Sequence, residues 1–376
     1  MYTAPLAPRA CEGGGRVKRG RGEHIRTPPV TAYGGDSPLI NAGAEDGVPY
    51  SAVKERDKLK FAILQTEDTY MMETQSNFIV SSYFAPRGHA RMYALGMQLA
   101  QQYLSPFDKL IGVIGDAGAG KSALIRGMFP NIELTNDDNG LYIRPLPLLD
   151  VDCARGFFSP HSYHVDIRFE TGFTQLSELA DCILEAVKRN KRVIVEHFEL
   201  VYPLLHMNAD LLIGVGEEVV LARPNVFGPE PYEVRDIVYK SLPYRLKSHT
   251  AEDLCEMLLP PEDYARCGHD DVRHGFVLTF PDYPPKVDLP QLQEQIHAYI
   301  KQDLPVTYVD EGHVRIGDMV HPCNGPRIHV SSTGQIGDLQ LLYRFVHDKR
   351  KNRYLLVGCI GEKNLDYIRK MNPGQF

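Results

Sequence analysis

The sequence predicts an α/β protein, in which a parallel sheet carries helices on both faces and is followed by an α+β unit. Short apolar runs alternate with stretches of helical periodicity over the first part of the chain, a pattern typical of parallel sheets. A glycine-rich loop, Gly115–Ser122, joins one of these runs to a helix. Residues 224–231 contain several prolines. Because proline disrupts both helix interiors and sheet ladders, we expect a boundary between two units there.

Length and composition narrow the classes of protein that fit. With 376 residues the chain exceeds the size at which one core usually stops growing, so more than one domain is expected. Seven scattered cysteines without a C-x-x-C pair predict reduced thiols rather than a disulfide framework. No apolar segment is long enough to span a membrane and no secretory signal is visible, so a cytoplasmic location without a membrane partner is expected. The oligomeric state is not indicated.

Residues 1–55 are basic and rich in glycine and proline, and we predict that they form a disordered tail. They lack a sustained apolar period, and Arg16, Lys18, Arg19 and Arg21 form a cluster. A flexible extension explains this composition without any function.

Residues 56–230 are predicted to form the first domain, which contains the glycine-rich loop. The helices have apolar residues on one stripe, and the strands are short apolar or alternating runs. The predicted strands are Phe61–Leu64, Leu110–Ile114, Ile132–Leu134, Tyr163–Phe169, Val193–Val195 and Leu211–Ile213, and the helices are marked by Met92 to Tyr103 and by Leu176 to Val187.

Residues 235–376 are predicted to form the α+β unit. A helix over Thr250–Leu259 precedes a strand at Phe276–Phe280, a helix at Leu289–Ile300 and several short strands.

The loop matches the complete G-x-x-x-x-G-K-[ST] pattern of a phosphate-binding loop and lies between a buried strand and a helix, as that pattern requires. Glycines let main-chain amides wrap a polyphosphate, Lys121 reaches the β and γ phosphates, and the Ser122 hydroxyl contributes to a Mg²⁺ shell. The sequence therefore predicts binding of ATP and Mg²⁺. The predicted binding residues are Gly115, Asp116, Ala117, Gly118, Ala119, Gly120, Lys121, Ser122 and Ala123.

Phosphoryl transfer also needs carboxylates, for Mg²⁺ and for the proton of an attacking hydroxyl. Asp137 and Asp138 follow one predicted strand, and Glu196 ends another, so we name them with Lys121 as candidate catalytic residues. From Leu110 to Val215 the chain resembles small-molecule P-loop kinases of the uridine kinase and phosphoribulokinase type, in which a strand ends in a similar Val-Ile-Val-Glu run. His197 stands where those kinases usually have glycine.

Arginine supplies the lid cations that such an enzyme places on the transferred phosphate. Arg223, Arg235 and Arg245 could act in this way, or could be ordinary loop arginines.

A second group of motifs lies in the C-terminal part. Residues 249–254 read His-Thr-Ala-Glu-Asp-Leu, residues 323–330 read Cys-Asn-Gly-Pro-Arg-Ile-His-Val, and residues 331–337 continue Ser-Ser-Thr-Gly-Gln-Ile-Gly. From Arg245 to Gly361 this order resembles the second additional domain shared by alanyl- and threonyl-tRNA synthetases and by free-standing alanyl editing proteins. The resemblance implies a pocket for an amino acid or aminoacyl group, and Zn²⁺ held by a histidine pair on a helix with a later Cys and His.

The chain departs from that pattern at two places. Asp253 replaces the second helix histidine, and Arg327 and Ile328 lengthen the segment before His329. Carboxylates also ligate zinc, so His249, Asp253, Cys323 and His329 could form a zinc site, or could be ordinary core residues. His313 and His321 are spare candidates, whereas His161 and His164 have no comparable partners and are interpreted as structural.

Three functions remain open at this level. We favour an ATP-dependent kinase or NTPase whose second domain recognises an amino-acid-like substrate. The alternatives are a zinc-dependent hydrolase of mischarged tRNA and a non-enzymatic nucleotide-dependent switch. A net charge of −7 does not favour tRNA as a partner, although a local basic face could still meet the end of a tRNA.

Overall fold

A computed structural model of the chain describes residues 80–82, 84–132, 134, 152–154, 156, 158, 160–361, 368 and 370. The predicted tail, the predicted strand Phe61–Leu64 and the candidate residues Asp137 and Asp138 lie outside these residues. None of the helices described here combines the length and apolar character that crossing a bilayer requires.

The chain is a mixed α/β protein whose largest sheet has six strands in the order β3-β4-β2-β5-β6-β1. The first four of that order run parallel, and β6 and β1 are antiparallel to their neighbours. Its strands are β1 (Val80–Ser82), β2 (Leu110–Ile114), β3 (Ser162–Asp166), β4 (Arg192–Glu196), β5 (Leu211–Val215) and β6 (Val219–Ala222).

Helices cover both faces of this sheet. They are α1 (His89–Tyr103), α2 (Lys121–Met128), α3 (Ile167–Glu170), α4 (Leu176–Lys188), α5 (Phe198–Leu205) and α6 (Pro231–Met257). Successive strand residues point to opposite faces. Leu110 and Ile114 therefore pack with residues of α4 and α5, whereas Ile111 and Val113 pack with residues of α1 and α2. All five positions of β2 are buried, which explains why the strand reads as a continuous apolar run.

The 27-residue helix α6 connects the large sheet to the C-terminal part. Pro231 occupies its first turn, and Glu230 and Glu233 form a capping box at its start. Val234 and Val238 pack under β5, whereas Ala251 and Leu254 belong to the C-terminal core.

Between Pro261 and Ile360 the described residues form two antiparallel sheets and two further helices. One sheet has the order β11-β10-β9, and the other has the order β12-β14-β8-β7, with β13 also paired to β14. The elements are α7 (Pro261–Tyr264), β7 (Gly268–Asp270), β8 (Gly275–Pro281), α8 (Leu289–Gln302), β9 (Val306–Asp310), β10 (His313–Ile316), β11 (Met319–Pro322), a 3-10 turn (Thr333–Ile336), β12 (Leu339–Leu341), β13 (Val346–Asp348) and β14 (Arg353–Ile360).

Several predicted elements need correction. The large sheet is mixed rather than parallel, because β6 returns from β5 in a tight antiparallel pair. Ile132 and Leu134 are not in a strand. The strand predicted over Tyr163–Phe169 ends at Asp166, whose carboxylate accepts a hydrogen bond from the Phe169 amide and starts α3. The helix predicted from Thr250 begins at Pro231 and includes Pro243 in its interior.

Candidate functional site

The Gly115–Ser122 loop lies between β2 and α2, at the carboxyl end of the parallel strands. Gly118 (φ 75°) and Gly120 (φ 87°) have left-handed backbone conformations that side-chain-bearing residues rarely adopt. The cap residue of α2 is Gly120, which has no side chain to bond the first amides of the helix, and this arrangement suits an anion.

Lys121 opens α2 and is buried. Its Nζ atom donates a hydrogen bond to the Asp116 carbonyl at 3.1 Å and lies 3.5 Å from Glu196 Oε2 at the end of the neighbouring strand β4. His164 Nε2 lies 3.1 Å from the other Glu196 oxygen. Burial raises the pKa of Glu196, but the hydrogen bond with His164 and the Lys121 charge outweigh it and lower the pKa to about 2. Glu196 is therefore an ionised carboxylate held next to the lysine.

Three potential metal ligands meet where β3 and β4 end. Asp166, Glu196 and His197 are buried and offer donor atoms that lie within 4.8 Å of one another. His197 takes a left-handed conformation (φ 56°) between β4 and α5. Two carboxylates at this edge could bind Mg²⁺ directly or through water.

Arg168 follows β3 and faces the loop. It donates to Asp116 Oδ1 at 2.7 Å and to the Tyr239 hydroxyl at 3.0 Å. Burial raises the pKa of Asp116, but the Arg168 hydrogen bond and an amide hydrogen bond from Ala117 bring it below its ordinary value. The arginine thus holds an ionised carboxylate at the rim of the site.

A cavity of about 480 Å³ opens between the loop and a turn from the C-terminal part, which we call the 323–329 turn (residues 323–329). This volume is within the range of small-molecule sites. Residues Asn324 to Ile328 of the turn line the cavity together with Lys121, Ser122 and Glu196. Positive side chains outnumber negative ones on its walls. The cationic residues are Arg87, Lys121, Arg126, Arg168, Arg245 and Arg327, and the acidic ones are Asp166, Glu196 and Glu311.

Arg245 is fully buried behind the loop and donates hydrogen bonds to the main-chain carbonyls of Ala119, Gly216 and Pro86. It therefore supports the loop from α6. The other two arginines that we considered as lid cations lie elsewhere. Arg223 binds Asp108 at the opposite end of β2, and Arg235 pairs with its exposed neighbour Asp236.

The structure brings together the four residues predicted as a zinc site. Cys323 Sγ lies 3.2 Å from His249 Nε2 and 3.4 Å from His329 Nε2, and His329 Nε2 lies 3.5 Å from Asp253 Oδ2. Tetrahedral zinc with bonds of about 2.0–2.3 Å separates neighbouring donors by about 3.3–3.8 Å. The donor spacing therefore fits a zinc ion.

Outer hydrogen bonds orient both imidazoles toward the centre of this cluster. His249 Nδ1 lies 3.3 Å from Glu252 Oε2, and His329 Nδ1 lies 3.2 Å from Thr250 Oγ1. Because Thr250 already donates to the Leu246 carbonyl, its oxygen accepts from His329. Both Nε2 atoms are thus left as electron-pair donors, as in metal-bound histidines.

Charges around the cluster are balanced except at Asp253. Arg87 pairs with Glu252 at 2.8 Å, and His269 lies 3.0 Å from Glu256. Hydrogen bonds to these two acids raise the pKa of His269 to about 10, so it is a cation. Asp253 Oδ2 is buried and receives no hydrogen bond from the described residues. Burial and the neighbouring acids Glu256 and Glu252 raise the pKa of Asp253 to about 6, although the charges of His249 and His321 act in the opposite direction.

A metal bound in this cluster would displace protons from its ligands. Burial and the charge of Asp253 raise the pKa of the Cys323 thiol, and burial beside His249 lowers the pKa of His329 well below its usual range. A neutral imidazole binds metal readily, and a divalent cation would stabilise the thiolate. The spare candidates lie outside the cluster: His321 contacts Glu256 at 3.4 Å, and His313 contacts Asp310 at the surface.

Sequence reasoning missed several residues of the site. His164 is interpreted as structural from the sequence, but it contacts Glu196. Asp166 and Arg168 fall within the predicted strand Tyr163–Phe169, which in the structure ends at Asp166. Asp166 had a usable signal, since aspartate often caps a helix where a strand ends. No local sequence pattern predicts the contact between the 323–329 turn and the Gly115–Ser122 loop.

Neither a scan against protein-family models nor a search of curated proteins found a match for this chain. The geometry of the side chains is therefore what distinguishes the candidate functions.

Proposed function

We propose that the Gly115–Ser122 loop is a P-loop that binds the phosphates of ATP with Mg²⁺, and that the chain is an ATP-dependent kinase-like enzyme or NTPase. One observation carries the proposal: Lys121, buried at the first position of α2, lies in the cavity 3.5 Å from the ionised Glu196. Burying a charged group costs free energy unless the group is paired. A lysine at the N-terminus of a helix, next to the first main-chain amides, suits a polyanionic ligand.

The charge of the cavity supports the same ligand class. Its walls carry more cations than acids, which favours a triphosphate. The cavity volume of about 480 Å³ is of the size that a nucleotide needs.

Each side chain has a role in this proposal. Lys121 and the amides of the loop hold phosphate, and the Ser122 hydroxyl with Glu196 and Asp166 would hold Mg²⁺ directly or through water. When bound, Mg²⁺ neutralises charge on the phosphate oxygens. Glu196 is also the candidate for accepting the proton of an attacking hydroxyl, although its low pKa favours the metal role. Asp137 and Asp138 keep their place as candidate acids outside the described residues.

The phosphate acceptor is proposed to be a small amino-acid-like molecule. Support comes from the resemblance of residues 245–361 to an aminoacyl-editing domain and from the walls of the cavity, to which the 323–329 turn contributes. The two parts of the chain thus line one binding space, as an enzyme that energises a molecule recognised by the second part would need.

Zinc-dependent hydrolysis of a mischarged tRNA is the second candidate, because the donor atoms of His249, Asp253, Cys323 and His329 lie within 4.8 Å of one another. Zinc polarises a carbonyl only through an open coordination position, so hydrolysis there would require one of the four side chains to leave the metal. Filter binding to tRNA at increasing salt tests this function, and the absence of salt-sensitive binding would exclude it.

The third candidate is a switch that binds ATP tightly without turning it over. Nucleotide binding measured beside phosphate release separates this function from the first.

The proposed function is tested by comparing Lys121→Ala with Lys188→Ala. Lys188 is exposed at the end of α4, far along the chain from the loop, and serves as the matched control. We expect Lys121→Ala to abolish MgATP turnover with an unchanged circular dichroism spectrum, and Lys188→Ala to behave like the unmodified chain. Turnover that survived Lys121→Ala would exclude a P-loop mechanism.

A further inference from the structure

Four side chains connect helix α6 to the 323–329 turn, and we call them the His-Asp-Cys-His cluster. The helix supplies His249 and Asp253, and the two ends of the turn supply Cys323 and His329. Their donor atoms lie within 4.8 Å of one another, and the two imidazole rings are stacked with their centres 4.5 Å apart. A metal bound by the cluster would therefore link the helix to both ends of the turn.

The number of donors in the cluster bears on the role of such a metal. Structural zinc has four protein ligands, whereas catalytic zinc keeps one position open for water or substrate. Each of the four side chains offers one donor, which is enough to fill a four-coordinate sphere. The donor set thus fits a structural metal better than a catalytic one.

On its other side the 323–329 turn contacts the Gly115–Ser122 loop through main-chain atoms. A Cβ atom built on Gly118 would lie 2.7 Å from the carbonyl oxygen of Arg327. Because this contact involves the backbone of both segments, it depends on the path of the turn and not on a side-chain rotamer. The path of the turn therefore sets one wall of the proposed nucleotide site.

Helix α6 also contacts the loop directly. Arg245 precedes His249 by four residues, is fully buried and donates a hydrogen bond to the Ala119 carbonyl. Helix, loop and turn thus contact one another in pairs. The cluster lies where the helix meets the turn.

The contact between the helix and the turn is only partly made by hydrogen bonds. The amide of Val330, just after the turn, donates to Thr250 Oγ1 on α6 at 3.2 Å. Asp253 Oδ2 is buried and receives no hydrogen bond from the described residues. A buried carboxylate oxygen without a donor is costly, and a cation bound to it would remove that cost.

We infer that the His-Asp-Cys-His cluster binds a structural divalent metal such as zinc and thereby keeps the 323–329 turn against the Gly115–Ser122 loop, so that metal binding strengthens nucleotide binding. The inference rests on the proposed binding of ATP, and it assigns the metal a role in nucleotide affinity instead of ester hydrolysis. Coupling between two binding sites is reciprocal, so the nucleotide must strengthen metal binding by the same factor.

The test measures binding of AMP-PNP, a non-hydrolysable ATP analogue, to the full chain by calorimetry with Mg²⁺. Binding is compared before and after zinc is removed with a chelator that does not bind Mg²⁺. Removal should weaken AMP-PNP about 5- to 150-fold, the usual range for coupled sites, and added zinc should restore the affinity. In the reverse experiment, saturating AMP-PNP should raise the zinc affinity, measured by competition with a chelator, by the same factor.

Two matched variants separate the loss of a metal ligand from the loss of a buried thiol. Cys359 is a buried free thiol in β14 and is not part of the cluster. Cys323→Ser should lose zinc and bind AMP-PNP as weakly as the zinc-free chain, whereas Cys359→Ser should retain both ligands. If Cys323→Ser does not fold, the comparison of the unmodified chain with and without zinc still decides the question.

The outcomes that contradict the inference can be told apart. Equal AMP-PNP affinity with and without zinc, or no uptake of zinc at all, would overturn the inference and leave the proposed function intact. Loss of the circular dichroism spectrum on zinc removal would also overturn it, because the metal would then support the whole fold and not the turn. If the zinc-loaded chain did not bind AMP-PNP, both the proposed function and the coupling would fail.

Discussion

Gly118 and Arg327 are in main-chain contact, so that a Cβ atom on the glycine would lie 2.7 Å from the arginine carbonyl oxygen. This contact joins the glycine-rich loop to the C-terminal part of the chain. Gly118 also has φ 75°, which gives it a second reason to lack a side chain. The two effects can be separated by substitution.

Gly118→Ala should destabilise the fold more than Gly337→Ala does. Both glycines have positive φ, so each substitution adds backbone strain. A Cβ on Gly337 meets no atom within 4 Å, whereas one on Gly118 collides with Arg327. Urea unfolding should show the larger loss for Gly118→Ala, and only that variant should lose nucleotide affinity. Equal losses of stability would show that the contact with Arg327 is loose.

The purified chain should contain about one equivalent of zinc per molecule, and Cys323→Ala should remove most of it. The thiol is one of four donors that lie within 4.8 Å of one another, and Asp253 Oδ2 receives no hydrogen bond from the described residues. Plasma mass spectrometry after dialysis against a weak chelator measures the content. Cys182→Ala, a half-buried thiol in α4, is the control and should retain the metal. Zinc content that Cys323→Ala did not alter would assign the metal to other residues.

Glu196 should make the stability of the fold depend on pH in the acid range. Its pKa is about 2 in the folded chain and near 4.5 in an unfolded one, so the ionised carboxylate stabilises the fold above about pH 4.5. That contribution, on the order of 3 kcal/mol, is lost as the pH falls from 4.5 toward 2. The stability difference between the unmodified chain and Glu196→Gln, from urea unfolding, should therefore shrink between pH 6 and pH 3.

Glu185→Gln is the matched control for this measurement. Glu185 pairs with Arg189 at an exposed position, and such pairs contribute little. Its difference from the unmodified chain should stay small across the same pH range. A difference for Glu196→Gln that did not vary with pH would mean that Glu196 is not held as an anion.

The elements predicted correctly are those whose surroundings are uniform along their length. β2 is buried at every position, and α4 buries a single stripe formed by Leu179, Ile183 and their neighbours, so apolar runs and helical spacing locate both. The strand–loop–helix context of Lys121 follows directly, because the motif and both flanking elements are local in sequence.

Helix α6 could not be predicted in full because its surroundings change along its length. Val234 and Val238 face β5, Arg245 faces the loop, and Leu254 faces the C-terminal core, so no single apolar stripe exists. Pro243 also reads as a helix breaker. Strand β6 is not among the predicted strands, and an apolar run does not reveal whether a strand returns antiparallel to its neighbour.

In the candidate sites, too, some features can be predicted from the sequence and others cannot. The four possible zinc donors were chosen by type and order, and the fold brings them together. The pairing of His164 with Glu196 arises from adjacent parallel strands whose register no local pattern specifies. The contact between Gly118 and Arg327 depends on the packing of the whole chain.

Arg245, His249 and Asp253 succeed one another at four-residue intervals along α6, which at 27 residues is about 40 Å long. One face of this helix therefore contacts the glycine-rich loop through Arg245 and also carries two of the four possible zinc ligands. A fragment that ends at residue 230 would lose the hydrogen bond from Arg245 to the Ala119 carbonyl. A fragment that begins at residue 235 would expose Val238 and Leu242, which pack against the large sheet. Dissection of this protein into separately expressed fragments should thus yield two unstable pieces rather than two working modules.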